Sequence, residues 1–246
     1  DLLGMPKTSF VIPAYQRLYS WKERQCRELW LDVHRAARAN ASHFVGTVLY
    51  SVEEDDAQGA RRLAVIDGQQ RLTTLTLMLV ALARHLAATG ASLPDAAGSI
   101  DAAGIAQRFL KAGDGAHASA KLFESLMAED SFGAATLWAG LNRLFVIDAE
   151  VGAGDNAQLI FESLNSKGKP LTTADLVRNY LLLVNTGYEE QMRLYEQYWE
   201  PIERLYADDP GSQRLNAALH GFLAVSAPKL HISSKDEVYG TFKTFL

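Results

Sequence analysis

The chain carries one cysteine, Cys26, in 246 residues. An internal disulfide framework is excluded, as is any cysteine-based zinc site, and a lone thiol fits a reducing cytoplasm. The six histidines show no metal-ligand spacing. Long apolar runs are scarce. The longest, Leu75 to Ala83, is interrupted at Thr76 and is too short to span a bilayer. No basic-then-apolar stretch of signal-peptide size follows Asp1. There is no Walker A loop, since Gly168-Lys169-Pro170 lacks the required Ser or Thr. No cofactor motif is recognisable, which counts against a metabolic enzyme acting on a small substrate. Excess positive charge is lacking too. A net charge of −5 argues against a surface that coats nucleic acid along its whole length. The charge is uneven, however: Asp1 to Arg38 holds seven basic residues against four acidic ones. A local basic face is open there, although a solvated helix face is the plainer account.

What is present reads as a globular chain, 48% hydrophobic and 22% charged, long enough for one large domain or two small ones. It begins without methionine and stops at Thr244-Phe245-Leu246 inside a helical pattern, so it reads as part of a longer protein. Ser9 to Ile12 reads as a strand ended by Pro13, and Ala14 to Tyr19 as a loop. Ser20-Trp21-Lys22-Glu23 has the spacing of a capping box. The helix after it carries Cys26, Leu29, Trp30, Val33 and Ala37 on one stripe. His43 to Tyr50 and Arg62 to Ile66 read as a hairpin with a long loop, whose acids Glu53 to Asp56 are a solvated tip rather than a metal site. An apolar helix runs from Thr73 to about His85, with Gly90 as its stop. Ala88 to Gly104 and Ala112 to Ala120 read as loops around a short helix, Ile105 to Leu110, and Lys121 to Met127 as another short helix. Leu144 to Ile147 fits either a strand or a helix end. Helices follow at Asn156 to Leu164, Thr173 to Val184 (with Thr172 as N-cap), Tyr188 to Tyr206, Gln213 to Val225 and Lys235 to Phe245. The expected fold class is α+β: a small mixed sheet-and-helix core over residues 1–90, then a mainly helical region over 91–246.

Three segments carry chemistry. In Ile66-Asp67-Gly68-Gln69-Gln70-Arg71 a strand meets a helix, and such a junction aims backbone N–H groups and partial positive charge at phosphate. Asp67 can hold a metal or take a proton. Gly68 permits a tight turn, Gln69 and Gln70 can position a water, and Arg71 offers a planar fork to phosphate. An ordinary Asp-Gly turn is the bland alternative. In Ile12-Pro13-Ala14-Tyr15-Gln16-Arg17-Leu18-Tyr19-Ser20-Trp21, aromatic residues surround Gln16 and Arg17, as a nucleic-acid contact needs. Trp21 fits better as a core staple, whereas Tyr15, Gln16 and Arg17 are harder to place in a core. In Phe161-Glu162-Ser163-Leu164-Asn165-Ser166-Lys167-Gly168-Lys169-Pro170-Leu171, a turn cluster lets Asn165 and Lys169 reach a phosphate. A plain helix-turn-helix connection is the alternative.

In this order the three segments resemble the N-terminal domain of GmrSD-type restriction proteins, a bacterial family with a ParB/sulfiredoxin-like core. The similarity runs from about Phe10 to Asn185 and is close in Ile12-Pro13-x-Tyr15-Gln16-Arg17, Asp67-Gly68-Gln69-Gln70-Arg71 and Phe161-x-x-Leu164-Asn165-x-x-Gly168. The phosphorothioate-sensing Ssp proteins are one branch of that family. The resemblance implies an anti-phage module that hydrolyses nucleoside triphosphate, GTP or ATP, and senses modified DNA. Asp67, Gln69, Gln70 and Arg71 would be catalytic. Gly68, Arg71, Asn165 and Lys169 would bind nucleotide, and Tyr15, Gln16 and Arg17 would touch DNA. Asp67 would hold Mg2+ through water. A nuclease domain of HNH type commonly follows in the family, and assembly into an oligomer is compatible with it. A non-catalytic reader of modified DNA is the rival reading. A ParB-like nuclease ranks last, because Asp67 is the one carboxylate well placed in a motif.

Overall fold

The computed structural model describes residues 8–13, 15–17, 19–53, 59, 61–93, 114–129, 131–152, 155, 157–165, 171–183, 188–206, 208–209, 212–230 and 237–246. The chain forms two compact units. The first comprises Asp1–Ile12 and Leu18–Val151, the second Pro13–Arg17 and Gly152–Leu246. The division expected near residue 90 falls inside the first unit.

In the first unit, strands β1 (Thr8–Val11), β2 (His43–Val52), β3 (Arg61–Asp67) and β4 (Leu144–Val151) form one sheet in the order β1-β3-β2-β4. β2 and β3 pair antiparallel, as the hairpin reading requires. β1 joins β3 in parallel, and β4 joins β2 in parallel. The segment at Leu144 is therefore a strand. Its alternation was ambiguous because β4 lies at a sheet edge and leaves Phe145 and Ile147 about half exposed. β3 is central, and its run Leu63 to Ile66 is buried.

Helix α1 (Glu23–Ala39) packs against α4 (Ala134–Leu141), and α2 (Gln69–Thr89) against α3 (Asp114–Met127). Cys26, Leu29 and Val33 of α1 enter the core with Met78 and Leu82 of α2 and Phe123 of α3. The last buried position on the α1 stripe is Ala36 rather than Ala37. The capping box lies two residues later than its sequence spacing indicates. α1 starts at Glu23, and Gln25 Oε1 accepts the Lys22 N–H at 3.1 Å. The Ser20 hydroxyl is buried without a partner among the described residues. The loop expected through Ala120 is corrected from Asp114 on, where α3 has already begun: alanine is a strong helix former, and Ala116 packs into the core. The expected helix at Ile105 to Leu110 and the acidic tip from Glu54 to Asp56 lie outside the described residues.

α2 begins at Gln69, four residues before the expected start, and ends on Gly90 in the left-handed conformation. Its 21 residues are long and apolar enough for a membrane span by length and composition, beyond what the Leu75 to Ala83 run indicates. Over half of that window is buried within the fold, as in a core helix.

The second unit is helical among its described residues. It contains α5 (Ala157–Asn165), α6 (Thr173–Leu183), α7 (Tyr188–Leu194), a π-helical turn (Tyr195–Trp199), α8 (Glu200–Leu205), α9 (Gln213–Ser226) and α10 (Val238–Phe245). Thr172 caps α6 as expected. Its hydroxyl accepts the Asp175 N–H at 3.1 Å, and Asp175 Oδ2 accepts the Thr172 N–H at 3.0 Å. The π turn interrupts what the sequence presents as one helix. Pro201 lacks an N–H and its ring crowds the carbonyl four residues back, so the backbone widens just before it. This turn keeps Tyr195 and Trp199 on the side of Glu203. Tyr195 Oη donates to Glu203 Oε2 and Trp199 Nε1 to Oε1, each at 2.9 Å.

Candidate functional site

The Asp67–Arg71 segment spans the end of β3 and the first turn of α2. Gly68 joins them at φ +98°, and a Cβ there would lie 3.1 Å from the Thr47 carbonyl oxygen and from Val48 Cγ2. Only glycine accepts both the dihedral and the crowding. Gly68 at the N-cap has no side chain to cap α2, and the helix's first turn holds no acidic residue. Its positive end is therefore not offset by a carboxylate of its own.

Arg71 lies in a seat made by β2. There the pairs Phe44↔Phe145 and Thr47↔Ile147 leave Val45 and Gly46 opposite the single Val146, which is a β-bulge. Gly46 adopts φ +113°, and Arg71 Nη1 occupies the place of its missing Cβ, 1.6 Å from that position. Arg71 Nη1 donates to the Val45 carbonyl at 3.2 Å. Nη2 donates to Asp67 Oδ2 at 3.4 Å. The two side chains keep 25% and 24% of their surface, so a ligand can reach both. Val45 and Gly46 went unnoticed in the sequence, although a glycine inside a strand pattern is itself a bulge signal.

The glutamines have a different environment. Gln69 and Gln70 are buried, at 4% and 9% exposure. Gln70 Oε1 accepts the Ser20 N–H at 2.8 Å, and Gln70 Nε2 donates to Gln69 Oε1 at 3.4 Å. The Gln70 carbonyl accepts the Thr74 hydroxyl at 2.7 Å, and Thr74 Oγ1 lies 2.8 Å from Tyr19 Oη. Tyr19 continues to Cys26 Sγ at 3.4 Å, and Cys26 to Ser119 Oγ at 3.3 Å. Burial, with the Cys26 contact, pushes the Tyr19 phenol above its ordinary range, so it stays neutral. Gln70 thus ties the end of the Ile12–Trp21 segment to the start of α2. These are the amides expected to position a water. Taking up that role would mean exchanging the Ser20 bond.

The model GmrSD restriction endonuclease, N-terminal domain, matches residues 1–182. The chain belongs to the GmrSD N-terminal domain family. It is therefore a restriction-endonuclease-associated module, and restriction of foreign DNA is its setting. No curated protein matches it.

Of the remaining expected site residues, Tyr15, Gln16 and Arg17 belong to the second unit of this GmrSD domain. Tyr15 is 2% exposed and packs on Leu182, and Gln16 is 8% exposed. The expectation that they resist core placement is corrected for both. The apolar ring finds a pocket among α6 and α7 side chains, and Arg178 Nε donates to the Tyr15 carbonyl at 2.8 Å. Arg17 remains half-buried. Arg178 is itself buried. It pairs with Asp175 at 2.8 Å and also with Glu203. The sequence reading gave this arginine no role. The side chain of Asn165 and all of Lys169 lie outside the described residues. No group of three His, Cys, Asp or Glu converges as a metal site among the described residues. A single carboxylate still suits magnesium, which keeps most of its waters and binds with substrate phosphates.

Proposed function

We propose that this GmrSD module binds a nucleoside triphosphate at the β3–α2 junction and hydrolyses it, and that modified DNA sets the rate. The observation that carries the reading is the Asp67–Arg71 pair, part-exposed beside an uncapped helix N-terminus. A cation, a carboxylate and a helix dipole at one turn form a phosphate seat without a Walker loop. Arg71 exchanges its long contact with Asp67 for the phosphate oxygens, and the bulge carbonyl of Val45 keeps the guanidinium oriented. Magnesium bound with the nucleotide would be held through water by Asp67 and would offset phosphate charge. The water oxygen forms a bond to the γ-phosphorus, and the bond from that phosphorus to the β–γ bridging oxygen breaks. The diphosphate leaves with that oxygen, and the water proton passes to a phosphate oxygen. Such transfer is largely positioning and charge stabilisation, so a small residue set suffices. Arg17 is the DNA-facing candidate in its motif, because Tyr15 and Gln16 are committed to packing. Phosphate release by Arg71→Ala tests the assignment. A loss of 10-fold or more with an unchanged melting temperature supports it, and wild-type turnover refutes it.

A binding-only reader of modified DNA is favoured by one feature: the side-chain oxygen Gln70 Oε1 is already bonded to the Ser20 N–H. It requires that no nucleotide is turned over under any condition, with DNA affinity that falls steeply as salt rises.

A further inference from the structure

A cavity opens in the first unit, between α1, α4 and the described residues after α3. Its volume is about 450 Å³, within the range of small-molecule sites. Trp30, His34 and Arg38 line it from successive turns of α1, and Phe132 and Gly133 line it from the start of α4. Trp30 and Phe132 form an aromatic wall, with ring centroids 5.9 Å apart and planes 28° apart. Arg38 makes no ion pair among the described residues. Arg35, also in the lining, pairs with Asp32 at 2.5 Å. Among the described residues, Glu129 is the acidic side chain in the lining. His34 Nε2 is buried without a hydrogen-bond partner among the described residues, a cost that a ligand can remove. Gly133, the N-cap of α4, has no side chain to cap it.

An aromatic wall, an uncommitted guanidinium and an unsatisfied imidazole call for a ligand with a flat ring at one end and a negative charge at the other. We propose that this cavity is a small-molecule site, separate from the Asp67–Arg71 junction, that takes an aromatic ring bearing an anionic group, of the size and chemistry of a mononucleotide. The ring lies against Trp30 and Phe132, and the anion meets Arg38. The Asp67–Arg71 reading takes no part in this assignment.

Calorimetric titration of the 246-residue chain with adenosine and guanosine monophosphates tests it, with the parent nucleosides and inorganic phosphate alongside. The proposal expects saturable binding of at least one monophosphate, weakened 10-fold or more when either the base or the phosphate is removed from the probe. Arg38→Ala and Phe132→Leu each weaken it 5-fold or more, while Arg71→Ala leaves it unchanged. Arg38 is exposed, so its loss leaves the fold intact, and an unchanged melting temperature checks this. Absence of binding at millimolar monophosphate would overturn the proposal. So would wild-type affinity in Arg38→Ala, or loss of binding in Arg71→Ala.

Discussion

At the scale of single residues, the site depends on where Arg71 is held. The seat exists because residue 46 has no side chain. Gly46→Ala would place a methyl on the guanidinium and force a left-handed dihedral on alanine. We expect it to destabilise the fold by about 1–3 kcal/mol and to lower phosphate release by displacing Arg71. Thermal melting paired with a turnover assay checks both effects, and an active, wild-type-stable Gly46→Ala would remove the seat from the account. Gln70 offers a sharper contrast. If it braces the Ser20 segment, Gln70→Ala costs about 1–3 kcal/mol, because a part-buried N–H loses its acceptor. Turnover per folded molecule then falls only modestly. Loss of turnover at unchanged melting temperature would instead return the residue to a water-positioning role. In the second unit, burial alone would push Glu162 upward. Hydrogen bonds from Tyr239 and Gln158 and the charge of Lys243 outweigh it and hold the carboxyl below its ordinary 4.5. The unfolded chain therefore binds that proton more readily. The stabilisation is complete above pH 4.5 and is lost as pH falls through the lower folded-state value. Glu162→Gln should flatten this acid limb of the melting temperature, and an identical acid limb in the variant would contradict it.

At the scale of elements, the chain order strand, helix, hairpin, helix was legible because periodicity changes sharply at Glu23, His43 and the Asp67–Gly68 junction. The Thr172–Asp175 cap was legible as well, since both of its bonds are local. What stayed hidden depends on contacts distant in sequence. The parallel addition of β4 to β2 is one such case, and the bulge at Val45–Gly46 is another. The burial of Gln69, Gln70, Tyr15 and Gln16 belongs with them, because polar residues in a motif resemble ligand contacts until their partners are known. Ser20 and Arg178 are those partners for Gln70 and the Tyr15 carbonyl, 50 and 163 residues away in sequence. The π turn before Pro201 holds Tyr195 and Trp199 on Glu203, which also pairs with Arg178. Glu203→Gln keeps the shape and weakens charge-assisted bonds, so a loss of about 2 kcal/mol is expected in chemical denaturation. A change under about 0.5 kcal/mol, the range of an ordinary surface substitution, would mean that Asp175 and the Tyr15 carbonyl satisfy the arginine without Glu203.

At the scale of the molecule, a net charge of −5 sets the terms on which it meets DNA. A uniformly attractive surface is excluded, so the DNA contact proposed above would be local, at the Arg17 segment or another basic patch. The α+β class and the GmrSD assignment rest on the mixed sheet and on the family match over residues 1–182. Nucleotide turnover is the central claim built upon them. The most direct measurement is phosphate release from GTP and from ATP with magnesium, without DNA and with unmodified, glucosylated-hydroxymethylcytosine or phosphorothioate DNA. The account predicts magnesium-dependent release that rises with one modified DNA and disappears in Arg71→Ala. Folded protein that releases no phosphate under any of these conditions would contradict it.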